Sequence, residues 1–344
     1  MANDRHTTLR VDISNGGNGD MWMRLASFYA VAALRPALDI RLFVPGFMRG
    51  LADYTFGDRL AFETDREACD IQFTSLGLKD MLPGLRRGKS YVAPYHRSVI
   101  LDRGERTLRD RLNIALHNLG EAAGRIHLPP WDCITDYQGY MDIIGIRALH
   151  GIDYATYVEQ MQRDYPGHVA RLGSDALPTS PELTFPEDIA ASTVIFPNGT
   201  SRQFIPVWWA REHQPEAYYA FFVKDDYARE FTEAGLRVVY YYREPGDVIA
   251  LSHAARWTIS TDSFSSHLLQ YSTERCTITT TEVLASRIIA PVFRGEVVDA
   301  VAPCHPCLKM ERRAHPTCMA GYTDCLNWKS AVYTQNILHS IASR

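Results

Sequence analysis

The sequence predicts an α/β protein of two domains, each built on a largely parallel sheet. Three observations lead to this fold class. The chain has 344 residues, which is more than one ordinary hydrophobic core accommodates. It opens with a strand, a glycine-rich turn, a helix and a strand, the order of a βαβ unit. In its second half, short apolar runs alternate with helical segments, as in parallel sheets covered by helices on both faces.

The opening unit is organised around one turn. A strand is predicted at 8–13, followed by the turn SNGGNGD at 14–20. Apolar residues then recur at helical spacing over 21–34, Pro36 ends the helix, and another strand is predicted at 39–45. The glycines depart from the dinucleotide pattern G-x-G-x-x-G and no P-loop lysine follows, so both of those sites are excluded here.

A proline-rich linker predicts the domain boundary. Residues 173–188 contain three prolines and show no apolar period. We therefore predict an N-terminal domain at 1–180, a C-terminal domain at 190–326 and a terminal helix at 327–344. Residues 100–165 are predicted to be mostly helical, and the sequence suggests no role for them.

Apolar and β-branched runs predict the remaining strands. Those of the second domain lie at 192–197, 217–223, 237–242, 256–261 and 276–280, and two more in the first domain at 69–74 and 91–95. Helices are predicted between the strands of the second domain, at 225–235, 245–255 and 265–272. This alternation predicts parallel pairing throughout the second sheet.

Two strand-to-helix turns in the second domain have the composition of phosphate sites. At 191–206 and 256–272 an apolar run breaks into small polar residues. Backbone N–H groups and the positive end of a helix dipole favour a phosphate at such a turn. Ligands of open parallel sheets bind beyond the carboxyl ends of the strands. We therefore expect a nucleotide-binding enzyme with its site in a cleft between two sheets.

Charge and hydropathy exclude several classes of protein. The chain has 36 basic and 40 acidic residues and a net charge of −4. This balance argues against a dedicated nucleic-acid binder, although it leaves a nucleic-acid substrate open. The first residues lack the apolar region of a signal peptide, and no run of about 18 apolar residues occurs. We therefore expect a soluble cytoplasmic protein without a membrane span.

Four of the seven cysteines lie close together. Cys304, Cys307, Cys318 and Cys325 have the spacing Cys-x2-Cys-x10-Cys-x6-Cys. A Cys-x2-Cys knuckle presents two thiolates to one ion, and a second pair completes a tetrahedron. We predict one structural metal ion, iron or zinc, because four sulfur ligands leave no open coordination position. The alternative interpretation is four ordinary cysteines.

Three segments resemble a known family. Gly19-Asp20 closes the first turn, FPNGTSRQFIP occupies 196–206, and DSFSSH occupies 262–267. At these segments the chain resembles the ADP-heptose glycosyltransferases, inverting enzymes of the GT-B fold, whose signature is Asp-[Ser/Thr]-Gly-x-x-His. Phe264 stands in place of the family's glycine, and Arg202 lies one position before the family's basic residue.

The resemblance implies two Rossmann-like domains facing a cleft, with the acceptor in the first domain and the nucleotide sugar in the second. It makes Asp20 the general base that takes the proton of the acceptor hydroxyl. The alternative interpretation is that Asp20 only caps the following helix. The resemblance also implies that Gly19 contacts the donor, that Asp262 orients its turn or meets a sugar, that His267 contacts the donor sugar or a phosphate, and that Glu244 accepts from the ribose hydroxyls.

A departing nucleoside diphosphate requires hydrogen-bond donors that are aimed at its growing charge. The two turns supply Thr200, Ser201, Arg202, Ser263, Ser265 and Ser266. Arginine would suit paired phosphate oxygens better than lysine. The alternative interpretation is that hydroxyls are common at helix starts and that Arg202 is a solvated surface charge.

Together these features predict an inverting hexosyl- or heptosyltransferase that needs no divalent metal in the chemical step. The acceptor stays open among a glycan, a protein, a nucleic acid and a small molecule, and a homo-oligomer stays open as well. Some members of the resembled family, including the bacterial autotransporter heptosyltransferases, carry a similar cysteine-rich finger that holds iron. The alternatives are a nucleotide-sugar epimerase or hydrolase of the same fold, and a non-catalytic module that binds partners through the cysteine knuckle.

Overall fold

The computed structural model describes residues 7–73, 78–92, 108–127, 151–198, 204–222, 226–241, 244–281, 284–303 and 325–342. The chain forms two compact units, Met1–Asp164 and Tyr165–Arg344. Each unit is organised around a six-stranded sheet in which every described strand pair is parallel. The predicted α/β class with two parallel sheets is therefore confirmed.

The first sheet is doubly wound. Its strands are β1 (Thr7–Asp12), β2 (Leu38–Phe43), β3 (Ala61–Glu63), β4 (Ile71–Phe73), β5 (Ser90–Val92) and β6 (Ile126–His127), in the order β3-β2-β1-β4-β5-β6. The helices are α1 (Asn18–Leu34), α2 (Gly46–Phe56), α3 (Leu78–Arg86), α4 (Leu108–Ala122) and α5 (Tyr154–Leu172). The boundary between the two units falls within α5. The order of strands reverses between β1 and β4, which makes this pair a topological switch point.

Helix α1 is the centre of the first unit. It begins at Asn18, three residues earlier than the apolar period predicts, and it ends at Leu34 before Pro36. Its buried side chains include the fully covered Trp22 and Leu25. A helix that is buried on nearly all sides belongs inside the fold, and its apolar composition follows from that position.

The second sheet repeats the doubly wound order. Its strands are β7 (Thr193–Phe196), β8 (Tyr218–Phe221), β9 (Arg237–Tyr240), β10 (Trp257–Thr261), β11 (Cys276–Thr279) and β12 (Glu296–Val298), in the order β12-β11-β10-β7-β8-β9. Its helices are α6 (Val207–His213), α7 (Asp226–Glu233), α8 (Gly246–Ala254), α9 (Phe264–Leu269), α10 (Ala285–Ile288) and α11 (Ala331–Ala342). All residues of β7, β8, β10 and β11 are buried, which explains their unbroken apolar and small-residue runs.

The terminal helix α11 packs into the core of the second unit. Trp209 of α6 donates from Nε1 to Oγ1 of Thr334 at 2.9 Å, and its ring meets that of Trp328 at 5.1 Å between centroids. Tyr333 donates its hydroxyl to the carbonyl of Thr280 at 2.7 Å. These buried contacts make the predicted terminal helix an integral part of the second unit.

The elements that the sequence did not reveal are mostly short. Strands β3, β6 and β12 contain two or three residues each, which is too few to show an apolar period. In the predicted helical region, α4 and α5 are present, while 128–150 lies outside the described residues. None of the helices in the described segments combines the length and the apolar character that crossing a membrane requires.

One polar network joins α1, the turn that follows α2, and α5 within the first unit. Arg59 donates from Nη1 to Oδ1 of Asp164 at 2.8 Å, and Gln160 donates to the same oxygen at 3.1 Å. The guanidinium of Arg59 lies over the ring of Tyr29, 4.2 Å from its centroid. Burial, and then the hydrogen bond to Asp58, raises the pKa of Tyr29 to about 12, so its hydroxyl remains protonated and donates to Asp58.

The substitution Asp164→Asn should lower the free energy of unfolding by about 2 kcal/mol, between the values typical of exposed and of buried ion pairs. Asp164 is buried and Arg59 is partly covered, so the loss leaves a cation without its carboxylate. Urea denaturation measures the effect. The control is Glu159→Gln, an exposed change on the same helix, and equal stability of the two variants would contradict the prediction.

Candidate functional site

The carboxyl ends of β1 and β4 define the candidate site of the first unit. The turn that follows β1 runs directly into α1. At its start Asp12 is fully buried, and its Oδ1 accepts hydrogen bonds from the N–H and the hydroxyl of Ser14, at 2.9 and 2.6 Å. Its Oδ2 accepts from Nε of Arg66 at 2.5 Å. Asp12 therefore fixes the path of the chain where it leaves the sheet.

Asp20 lies in the first turn of α1, beside that glycine turn. Its Oδ2 accepts the N–H of Gly17 at 2.8 Å, which satisfies one of the amides left unpaired at the helix start. Gly19 next to it is buried. The structure thus gives Asp20 the capping role that was considered as the alternative. Its role as a base remains a prediction, since one carboxylate can hold a turn and also accept a proton.

Gly16 has a conformation that other residues rarely adopt. Its φ is +107°, and a Cβ at this position would stand 2.8 Å from Oδ2 of Asp20. Gly17 differs, because its φ of −73° is ordinary and its nearest neighbour, the same oxygen, would be 3.5 Å from a Cβ. The two adjacent glycines therefore have different tolerance for a side chain.

The second unit brings the two predicted phosphate turns together. Strand β10 pairs in parallel with β7, and Ser260 lies opposite Phe196. The chain therefore leaves both strands at the same edge of the sheet, at Pro197 and at Asp262, where the strand order reverses. Thr200, Ser201 and Arg202 lie outside the described residues, so their contacts with a ligand remain predictions.

The serines after β10 hold their own turn. The hydroxyl of Ser265 lies 2.8 Å from that of Ser260 and 2.7 Å from that of Ser263. The hydroxyl of Ser266 donates to the carbonyl of Ser263 at 2.8 Å and accepts the Ser263 N–H at 3.2 Å. All of these side chains are buried. Their hydrogen bonds agree with the structural interpretation of the motif, and a contact with a ligand stays a prediction.

Asp262 and His267 lie side by side at the same turn. Nε2 of His267 is 3.6 Å from Oδ1 of Asp262, which is too long for a hydrogen bond but close enough for attraction when the imidazole is protonated. Both residues are 8% exposed. The half-buried Phe264 begins α9 between them in the sequence.

Glu244 also lies beyond the carboxyl end of a strand in the second sheet. It follows β9, the outermost strand on one side of that sheet, and is half-buried. Two strand spacings of roughly 5 Å each separate β9 from β7. The carbonyl oxygen of Glu244 accepts the N–H of Asp247 at 3.0 Å and so precedes α8. A contact between its carboxylate and a ribose remains a prediction.

Among the predicted metal ligands, only Cys325 lies within the described residues; Cys304, Cys307 and Cys318 lie outside them. The described segments alone contain no group of three His, Cys, Asp or Glu residues placed to hold a metal. Cys325 is half-buried, and its sulfur accepts a hydrogen bond from Nδ2 of Asn327 at 3.3 Å.

Asn327 is a functional candidate that the sequence did not suggest. It is fully buried, and its Oδ1 accepts the N–H groups of Val301 and Ala302, each at 2.8 Å. Its Nδ2 donates to the carbonyl of Thr281 and to the sulfur of Cys325, each at 3.3 Å. Every hydrogen-bonding position of the amide is used. One side chain thereby joins the described chain segments on either side of residues 304–324.

The fold defines a class: an α/β protein of two units, each built on a doubly wound parallel sheet with a switch point in its strand order. No family model matches the sequence, and no curated protein does. Among solved structures the chain is similar to a glycosyl transferase of family 9 from Veillonella parvula, with 12% identity, a TM-score of 0.56 and 98% of each chain covered. It is also similar to the ADP-heptose LPS heptosyltransferase II of E. coli, with 12% identity, a TM-score of 0.54 and 98% of each chain covered. The predicted fold class, two Rossmann-like domains of the GT-B type, is thereby confirmed.

The substitution Gly16→Ala should lower the free energy of unfolding by about 1–3 kcal/mol, the usual cost of forcing a side chain into this backbone region. The new methyl group would also press on Asp20. Gly17→Ala is the matched control and should cost far less. Thermal unfolding of both variants tests the pair, and a Gly16→Ala protein as stable as Gly17→Ala would refute the geometry.

Proposed function

We propose that the protein is an inverting glycosyltransferase that takes a sugar from a nucleoside-diphosphate donor. The observation that carries this proposal is the adjacency of the turns after β7 and β10 at the switch point of an all-parallel sheet. Two strand-to-helix turns of this kind direct backbone N–H groups at one place, which suits a diphosphate. The fold shared with family 9 and with heptosyltransferase II supports an ADP-heptose-like donor.

In the proposed reaction the donor binds to the second unit, and the acceptor is activated from the first. Asp20 accepts the proton of the acceptor hydroxyl while the hydroxyl oxygen attacks the anomeric carbon. The bond from that carbon to the diphosphate breaks on the opposite face, and the configuration inverts. The bond from Gly17 holds the carboxylate in one orientation beforehand, which supports this role.

The departing diphosphate carries extra negative charge. Thr200, Ser201 and Arg202 of the first turn and the backbone of the second turn would stabilise it. His267 would add a proton donor or a cation near Asp262, which is consistent with their separation of 3.6 Å. Glu244, further along the edge, would accept from the ribose hydroxyls. The acceptor could be a glycan, a protein, a nucleic acid or a small molecule.

Replacing Asp20 by Asn should reduce the transfer rate by about 10²–10⁴-fold, the usual contribution of a general base. Donor affinity should change little, because all proposed donor contacts except that of Gly19 lie in the other unit. Transfer is measured with labelled ADP-sugar, and affinity by titration with ADP. Asp70→Asn, an exposed change in the first unit, is the control.

Full activity of the Asp20→Asn variant would rule out Asp20 as the general base. Incubation with the donor alone separates the proposal from its rivals. A new sugar isomer or free sugar without an acceptor indicates an epimerase or a hydrolase, and an absence of donor binding indicates a non-catalytic module.

We also propose that the four cysteines hold one structural iron or zinc ion. The bond from Asn327 to the sulfur of Cys325 supports this, because a thiolate bound to a metal is a good acceptor for an N–H group. The amide would tie the ends of the loop together and orient one ligand. The ion itself would supply folding energy to the loop and no step of the reaction.

Elemental analysis of the purified protein should find about one iron or zinc per chain, the stoichiometry of a single four-thiolate site. Cys325→Ser should lose most of this metal, because a serine hydroxyl is a far weaker ligand than a thiolate. Cys69→Ser, a change at an isolated buried cysteine, should keep the metal and serves as the control. Equal metal content in both variants would reject the site.

A further inference from the structure

Arg24 is a buried cation below the turn that carries Asp20. It lies in the second turn of α1 and is only 1% exposed. Its Nη1 donates to the carbonyl oxygen of Ile13 at 2.9 Å and to that of Asn15. Its guanidinium lies over the ring of Phe73, 4.4 Å from the centroid. It therefore joins the glycine turn to the neighbouring strand β4.

The charge of Arg24 is only partly compensated. Over the residues that the structure describes, its Nε and Nη2 are buried and have no hydrogen-bond partner. Among the described residues of the first unit, the ion pairs involve other cations. Burying a guanidinium in this way is unfavourable, although the two carbonyls and the ring offset part of the cost. Packing alone would favour an apolar residue here, as at the neighbouring Met23 and Leu25.

Gly16 relates this cation to Asp20. A Cβ on Gly16 would stand 3.1 Å from Nη2 of Arg24 and 2.8 Å from Oδ2 of Asp20. The guanidinium and the carboxylate therefore flank the same backbone position and lie at most about 6 Å apart, a range at which opposite charges attract each other. A side chain at position 16 would have to displace one or both of these groups.

We propose that Arg24 is the positioning residue for Asp20 in the transfer reaction, an inference that rests on the function proposed above. Through the carbonyls of Ile13 and Asn15 it fixes the turn whose Gly17 N–H binds Asp20. Its charge, within about 6 Å of the carboxylate, attracts that group to one side of the turn. The base then meets the acceptor hydroxyl in a single orientation, and no reorganisation is needed during the reaction.

The test compares Arg24→Met, which keeps the length of the side chain but not its charge, with Arg24→Lys, which keeps the charge. Arg35→Met, an exposed change at the end of the same helix, is the control. We measure kcat for transfer, the Kd for ADP, thermal stability and the hydrogen-exchange rate of the Gly17 amide. The exchange rate reports on the bond to Asp20 and requires no activity.

We expect Arg24→Met to lower kcat by at least about tenfold while the Kd for ADP stays within about twofold, because the orientation of the base is lost and donor binding is not. The Gly17 amide should exchange faster. Arg24→Lys should fall between wild type and Arg24→Met in both measurements. In the Asp20→Asn background, Arg24→Met should not lower kcat further, because the effects of two substitutions that act through the same group do not add.

Independent, additive effects of the two substitutions would overturn the proposal, and so would a wild-type kcat and Gly17 exchange rate in a folded Arg24→Met protein. If Arg24→Met does not fold, Arg24→Lys decides, because lysine is one bond shorter than arginine and lacks the planar group that lies over Phe73, so it cannot reproduce the contacts of the guanidinium; wild-type values in that variant overturn the proposal. An active Asp20→Asn protein overturns the proposed base together with this inference. An inactive Asp20→Asn with an unaffected Arg24→Met overturns this inference alone.

Discussion

Parallel pairing at the centre of each sheet is the constraint on which the rest of the structure depends. In the second unit the chain lays down β7, β8 and β9 in one direction and then returns to place β10 on the other side of β7. Because paired parallel strands end at the same edge, turns that are more than 60 residues apart leave the sheet side by side. The first unit repeats this arrangement with β1 and β4.

The turns at these edges share a second property: their polar side chains bind the backbone or side chains of the same turn. Asp12 and Asp20 do so in the first unit, and Ser263, Ser265 and Ser266 in the second. Strand ends and helix starts leave amides without partners, and these side chains satisfy them. A turn held in this way presents its remaining donors in a fixed direction, which is the requirement for stabilising charge in a transition state.

Several predictions from the sequence were confirmed because their signals are local. The five strands predicted for the second domain are present, and four of them are buried along their whole length and consist of apolar and small residues. The start of α1 was predicted three residues late, because Asn18 and Gly19 carry no apolar signal and the helix there depends on the bond between Asp20 and Gly17. The contacts of Thr200, Ser201, Arg202 and three of the four clustered cysteines with their ligands stay predictions.

The sequence by itself determined the α/β class, the parallel pairing of the second sheet and the candidate turns, because these depend on short-range patterns of apolar, glycine and hydroxyl residues. Only the tertiary structure decided that β7 and β10 are neighbours. It also decided that Asp12 and Arg24 hold the turn after β1, and that Asn327 binds the segments on either side of residues 304–324. Each of these three is a polar or charged residue whose partners come from other elements of the chain. The sequence shows which residue is present, but its burial and its hydrogen bonds form only when distant segments of the chain pack together.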